Sequence, residues 1–136
     1  MLRVSRMCLA AALLIVSCGS VAFGDAPAQR RQVLILYSFS YGRPINQDWD
    51  RGIRLGLEAN LHEPVDIDVE FLDAEQLPDR EGRDKWVELL RMKYADAEPD
   101  VVIPVADSAA ACLAVDHPNL FPQAAVVFCS ISAQTL

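Results

Sequence analysis

The sequence predicts an α/β fold: a parallel sheet of about four strands in the order 2-1-3-4, with helices on both faces. Apolar runs of strand length alternate with helical patterns, and this alternation demands a parallel sheet with right-handed crossovers. One run, Val65 to Leu72, alternates apolar and polar residues and so belongs at a sheet edge. The other three runs are continuously apolar and belong inside the sheet, which gives the order.

The first strand covers about Gln32 to Tyr37, and a turn rich in hydroxyls and aromatic rings follows it. Pro44 and Asn46 can start the first helix, which ends near Asn60. The apolar stripe of this helix contains two glycines, which predict a close approach to the sheet: Trp49, Gly52, Ile53, Gly56 and Leu57.

The second strand carries three acidic residues on one face, namely Asp66, Asp68 and Glu70. We interpret these residues as the solvent-exposed face of an edge strand, where their charges discourage pairing with a further strand. The alternative, a cation site, needs more than this acidic spacing. The loop from Asp73 to Pro78 leads to a second helix over about Asp79 to Tyr94. Its predicted buried side consists of Trp86, Leu89, Leu90, Lys93 and Tyr94.

The third strand is Val101 to Val105, and Pro104 should lie near its end because proline cannot donate to a ladder. Asp107 or Ser108 is the predicted cap of a short third helix that extends to Val115. The fourth strand, Ala124 to Cys129, is predicted to be buried.

The first 24 residues have the pattern of a secretory signal peptide: a basic start, an apolar run of ten residues and small residues before Asp25. The run is shorter than the roughly 20 residues that span a bilayer. Residues 25–136 then form one partial lobe. A relaxed lipobox ending in Cys18 offers a second interpretation, a lipoprotein, and an uncleaved anchor is the third. Each of the three places the protein outside the cytoplasm, with the periplasm as the expected location.

Composition excludes some partners. A sequence pI near 4.7 and a net charge of −7 argue against nucleic acid, which requires basic patches. Cys112 and Cys129 are interpreted as two buried thiols, although an oxidising compartment also permits a disulfide. His62 and His117 are isolated and are interpreted as surface imidazoles.

Candidate binding residues lie in the loops that follow strands one, three and four, because open parallel sheets bind ligands at the carboxyl ends of their strands. The set suits a small polar ligand whose amine faces Asp107 and whose apolar part contacts Phe39 or Tyr41. The alternative is that these side chains only cap the helix and close turns. The candidates are Ser38, Phe39, Ser40, Tyr41, Asp107, Ser108 and Ser130.

Nucleotide and catalytic motifs are absent from the sequence: there is no GxGxxG after the first strand, no GxxxxGK[ST] and no GxSxG. We therefore predict no enzyme, no cofactor and no catalytic or metal-binding residue. A flavodoxin-like flavin protein stays open, since a serine-rich first loop can hold a phosphate.

Several segments of the chain resemble, in their joint order, those of one known family. They are Val33–Ser40, the helix with Trp49 and Arg51–Ile53, Glu70–Ala74, Leu89–Tyr94, Asp100–Ile103 before Asp107, Asn119–Pro122 and Val126–Cys129. The chain resembles the ABC-transporter substrate-binding-like proteins with a type I periplasmic binding fold. That family also supplies the extracytoplasmic sensor regions of some histidine kinases.

The resemblance implies a small-molecule ligand, an amino acid for example, held between two lobes, and a partner that is an ABC permease or a kinase module. This chain supplies only the first part of lobe one, so its fourth strand keeps an unpaired edge. Four functions follow as hypotheses: a truncated binding protein, a detached sensor-region fragment, a flavodoxin-like enzyme, or a remnant without function. Contact with a membrane is expected only through a lipid on Cys18.

Overall fold

The computed structural model describes residues 30–132. Within them, four strands form one parallel sheet in the order β2-β1-β3-β4, which confirms the predicted fold class and strand order. The strands are β1 (Arg31–Tyr37), β2 (Val65–Phe71), β3 (Val101–Val105) and β4 (Ala125–Val126). The helices are α1 (Pro44–Asn60), α2 (Arg80–Lys93) and α3 (Asp107–Ala111), which continues into a π-helical turn (Cys112–Asp116).

Strand β1 lies at the centre of the fold and is buried on both faces, as its continuous apolar run predicts. One face packs against α1 and carries Val33, Ile35 and Tyr37. The opposite face carries Leu34 and Leu36, which pack against residues of α2, of α3 and of the π-helical turn. The alternation of side chains along a strand explains why one short run supplies both halves of the core.

Strand β2 is an edge strand in parallel register with β1 from Arg31↔Val65 to Tyr37↔Phe71, as predicted. Its acidic residues contact cations on the α2 side of the sheet: Glu70 pairs with Lys93, and Asp66 with Arg30. The alternating pattern therefore places carboxylates where their charges remain partly solvated.

Strand β4 differs from the prediction of a buried strand. Its two assigned residues are exposed. Beyond them the Val127 N–H still donates to the Val102 carbonyl at 2.9 Å, but the ladder with β3 is complete again only at an isolated bridge between Val105 and Cys129. Pro104, the penultimate residue of β3 as expected, explains the gap. The Pro104 carbonyl accepts from the Cys129 N–H at 3.0 Å, so the backbone nitrogen of Pro104 also faces β4. Because proline has no N–H, β4 receives no hydrogen bond from this residue.

Two helix predictions are also wrong. A Cβ built on Gly52 or Gly56 meets no atom within 4 Å, so these glycines do not provide a close approach to the sheet. On α2, Val87 is buried whereas Leu89 is 60% exposed. Lys93 is exposed too, although Leu90 and Tyr94 are buried as predicted.

The predicted signal peptide, its cleavage before Asp25 and the lipidation site Cys18 lie outside the described residues. Within residues 30–132, no helix has the length and apolar character needed to cross a membrane.

Candidate functional site

The loops after β1, β3 and β4 all leave the sheet at its carboxyl end, because the four strands are parallel. Three non-glycine residues with positive φ occur after β2, β3 and β4: Asp73 (49°), Ala106 (67°) and Ser130 (54°). Backbone strain of this kind persists only where surrounding contacts hold it, and it concentrates at functional sites. Ala106 is held by its N–H, which donates to the Cys129 carbonyl at 3.0 Å.

Ser38 is buried, and its hydroxyl is used within the fold. Its Oγ donates to the Val105 carbonyl at 2.7 Å and accepts from the Ala109 N–H at 2.8 Å. Ala109 lies in the first turn of α3, so Ser38 satisfies one of the free N–H groups at that helix start. The first residue after β1 thus joins β3 to α3.

This arrangement corrects the predicted cap of α3. Ala106 precedes the helix and forms no side-chain cap, and the helix starts at Asp107. A cap supplied from 71 residues away leaves no local signal in the sequence. Asp107 instead accepts from the Ser132 N–H at 2.7 Å, which joins the start of α3 to the loop after β4.

The two aromatic candidates point toward α1 and β2. Phe39 stacks on Trp49 with ring centroids 6.2 Å apart, and the Arg43 guanidinium lies 5.9 Å from its ring. Tyr41 packs edge-on against Phe71 at 5.5 Å, and 81% of it stays exposed. Tyr41 therefore presents a ring to solvent at the carboxyl end of the sheet.

Asn46 fixes the loop that carries these rings, a role that the sequence did not reveal. Its Nδ2 donates to the carbonyls of Phe39 (3.3 Å) and Ser40 (2.9 Å). Its Oδ1 is buried and has no hydrogen-bond partner among residues 30–132. Buried acceptors of this kind are uncommon in native proteins. The only sequence signal was the position of Asn46 just inside the start of α1.

An ion pair connects the loops after β1 and β2. Arg43 donates to Glu75, and this hydrogen bond holds the pKa of the exposed Glu75 carboxyl below its usual value. The pair was also missed from the sequence, since nothing local relates two residues on separate loops.

The predicted site residues thus form two groups. Phe39, Ser40 and Tyr41 lie beside α1 and β2, and Tyr41 borders a groove of about 640 Å³ that Phe71 also lines. Asp107, Ser108 and Ser130 lie on the side of β3 and β4, where Asp107 and Ser108 are exposed. Ser38 is buried between the groups. Two other grooves, of about 610 and 620 Å³, lie toward the amino end of the sheet around His62.

A hydrogen-bond network lies beneath the first group. Tyr37 donates to Asp50 at 3.3 Å, and Arg54 donates to the same carboxylate at 2.7 Å. Burial, together with the charge of Asp50, raises the pKa of the Tyr37 phenol, so Tyr37 remains a donor at neutral pH.

Both described cysteines are free thiols, and Cys112 is buried while Cys129 is half-buried. Burial raises the pKa of Cys112 to about 11, which makes this thiol a poor nucleophile. His117 is largely buried with Nε2 3.1 Å from Asp84, so the prediction of a surface imidazole is wrong there. Residues 30–132 contain no cluster of acidic, histidine or cysteine residues that could hold a metal ion.

Comparison of the chain with protein-family models, curated proteins and solved structures found no match.

Proposed function

We propose that this chain is an exported small-molecule binding module of the ABC substrate-binding-like type. The observation that carries the proposal is the presence of an exposed ring, Tyr41, and an exposed carboxylate, Asp107, at the carboxyl end of one parallel sheet. Ligands of open α/β sheets bind in that position. The segment resemblance described above supports the same class of protein.

The chemistry of the two groups favours a ligand with a cationic amine and an apolar part, such as an amino acid. Asp107 supplies the negative charge for the amine, and Ser108 and Ser130 supply neighbouring hydroxyls. Tyr41 offers an aromatic face, which attracts a cation as well as apolar surface. Phe39 and Ser40 shape the loop under Tyr41. In this proposal Ser38 positions the site and does not contact the ligand, because both its hydrogen bonds are internal.

The ligand-bound protein would deliver the ligand to an ABC permease. If the chain acts as a sensor region, it would instead signal ligand binding to a kinase module. Both roles need the same binding step, so binding is the step to test first.

Calorimetric titration with the common amino acids and with small carboxylates tests the proposal. We expect saturable binding that weakens about tenfold or more in Tyr41→Ala and in Asp107→Asn, since a tenfold loss is about 1.4 kcal/mol. Asp96→Asn is the matched control, because Asp96 is an exposed carboxylate ahead of β3 at the amino end of the sheet. Absence of binding by folded protein, or equal weakening by all three variants, would refute the proposal.

A further inference from the structure

The outer edge of β4 is an open hydrogen-bonding surface. The N–H groups of Ala125, Val127 and Cys129 donate to carbonyls of the β3 segment at 2.9, 2.9 and 3.0 Å. Successive residues of a strand direct their backbone groups to opposite sides. The N–H and C=O groups of Val126 and Phe128 therefore face away from the sheet, where residues 30–132 provide no further strand.

The side chains along this edge are apolar and exposed. Val126, Val127 and Phe128 are 42%, 53% and 38% exposed. The sequence from His117 to Leu136 contains no Asp, Glu, Lys or Arg. The opposite edge, β2, differs because it carries three carboxylates, and natural edge strands use such charges to prevent pairing. Only one of the two edges of this sheet has that protection.

We propose that β4 pairs antiparallel with β4 of a second copy of this chain across a two-fold axis beside Val127. The sheet of four strands would then continue from one copy into the other. This inference is independent of the proposed ligand and would hold if the binding proposal failed.

The pattern of outward groups is self-complementary. With the axis beside Val127, Val126 of each copy lies opposite Phe128 of the other, and each such pair exchanges both of its backbone hydrogen bonds. The two Val127 side chains meet on the α1 face, and each Val126 meets a Phe128 on the other face. Apolar cross-strand pairs of this kind stabilise antiparallel ladders.

Charge favours a second copy at this edge. Each copy carries a net charge of −7, so two copies repel over most of their surfaces. The neutral stretch around β4 is where they can approach with least repulsion. The same two-fold pairing at β2 would bring carboxylates of Asp66, Asp68 and Glu70 close to those of the other copy.

Sedimentation equilibrium of the purified protein tests the proposal. We expect a dimer that becomes a monomer in Val127→Lys, because two ammonium groups would then lie opposite each other at the axis. Leu89→Lys is the matched control: Leu89 is comparably exposed on α2, and this variant should remain a dimer. A monomeric wild-type protein at its highest soluble concentration, or a dimeric Val127→Lys variant, would overturn the proposal. If β4 instead pairs with a strand of a different protein, the purified wild-type protein would be monomeric, and that result overturns the proposal.

Cysteine cross-linking tests the register. Opposite residues of a non-hydrogen-bonded antiparallel pair have Cα atoms about 4.5 Å apart, within the range of a disulfide. In a Cys129→Ala background, Val127→Cys should form a disulfide-linked dimer on mild oxidation. Ala125→Cys, on the same face two residues away, should not. Equal cross-linking of the two variants would contradict the two-fold register.

Discussion

Replacing Ser38 with alanine tests how the candidate site is built. The Ser38 hydroxyl accepts from the Ala109 N–H at 2.8 Å and donates to the Val105 carbonyl at 2.7 Å. The Val105 carbonyl keeps a second bond in Ser38→Ala, because the Ser38 N–H also donates to it at 3.2 Å. The Ala109 N–H would lose the partner that Ser38 provides, at a residue of the first turn of α3 that is itself fully buried.

The expected cost follows from that single buried donor. Leaving a buried polar group without its partner costs about 1–3 kcal/mol, and loss of a helix cap costs about 1 kcal/mol. Since both figures describe the same N–H, we expect Ser38→Ala to lower the free energy of unfolding by about 2 kcal/mol. For a domain of this size the midpoint of thermal unfolding should fall by roughly 10 °C.

Urea unfolding monitored by circular dichroism measures this change. The denaturant dependence of the free energy should stay unchanged, because the variant folds to the same structure. Ser108→Ala is the control: Ser108 is exposed in the same helix, and its removal should change stability by less than about 0.5 kcal/mol. If Ser38→Ala were as stable as Ser108→Ala, Ser38 would not cap α3, and a ligand contact would again be its leading role.

Three other predictions concern the backbone and pH. Ala106→Gly should raise the free energy of unfolding or leave it unchanged, because glycine accepts a φ of 67°. Ala109→Gly is the control and should lower it by about 1 kcal/mol or more. An equal loss of stability in the two variants would show that no strain is relieved at Ala106. Gly52→Ala and Gly56→Ala should each stabilise the exposed side of α1 by about 0.5–1 kcal/mol in chemical unfolding, and destabilisation would reveal a contact on this face. Burial raises the pKa of Cys112 from 9.0 to about 11 and that of Tyr94 from 10.0 to about 12, so both groups ionise first in the unfolded chain. The free energy of unfolding should therefore be fully retained below about pH 9 and decline toward pH 11–12. Unfolding across this pH range should show a smaller decline for Cys112→Ala, and an equal decline would exclude Cys112 as a source.

The strand order was predictable because two patterns in the sequence have distinct physical causes. The continuous apolar run of β1 requires that both faces of this strand be buried. The strict alternation of apolar and polar residues in β2 requires that one face of that strand be exposed to solvent. These two requirements place β1 inside the sheet and β2 at its edge. The positions of β3 and β4 depended on their own apolar runs, which predicted two buried strands; β3 is buried, whereas the assigned residues of β4 are exposed.

The failed predictions involve interactions between distant segments. Pro104 interrupts the hydrogen bonds of the neighbouring strand, and this shortens β4 although its own sequence is a good strand. Ser38 caps α3 from 71 residues away, across two helices and two strands, so the local sequence pointed to Asp107 or Ser108 instead. On α2, the sequence is compatible with burial of a stripe that includes Val87 and Leu90 or of one that includes Leu89. Packing against the sheet buries Val87 and Leu90.

Part of the candidate site could also be predicted. The principle that parallel sheets bind ligands at their carboxyl ends led to Tyr41 and Asp107, and the structure has Tyr41 in the loop after β1 and Asp107 at the start of α3, both at that end. Which side chains remain exposed depends on packing that local sequence does not record. Phe39 and Tyr41 are two residues apart, and yet Phe39 stacks on Trp49 while Tyr41 stays in solvent.

Two-dimensional NMR with an amino-acid mixture as the probe tests the binding proposal most directly. The account predicts saturable shifts of the backbone amides of Tyr41, Asp107 and Ser130, with little change at Val65 or Asp96, which lie toward the amino end of the sheet. Shifts confined to that amino end, or a spectrum of folded protein that the amino acids do not change, would contradict it.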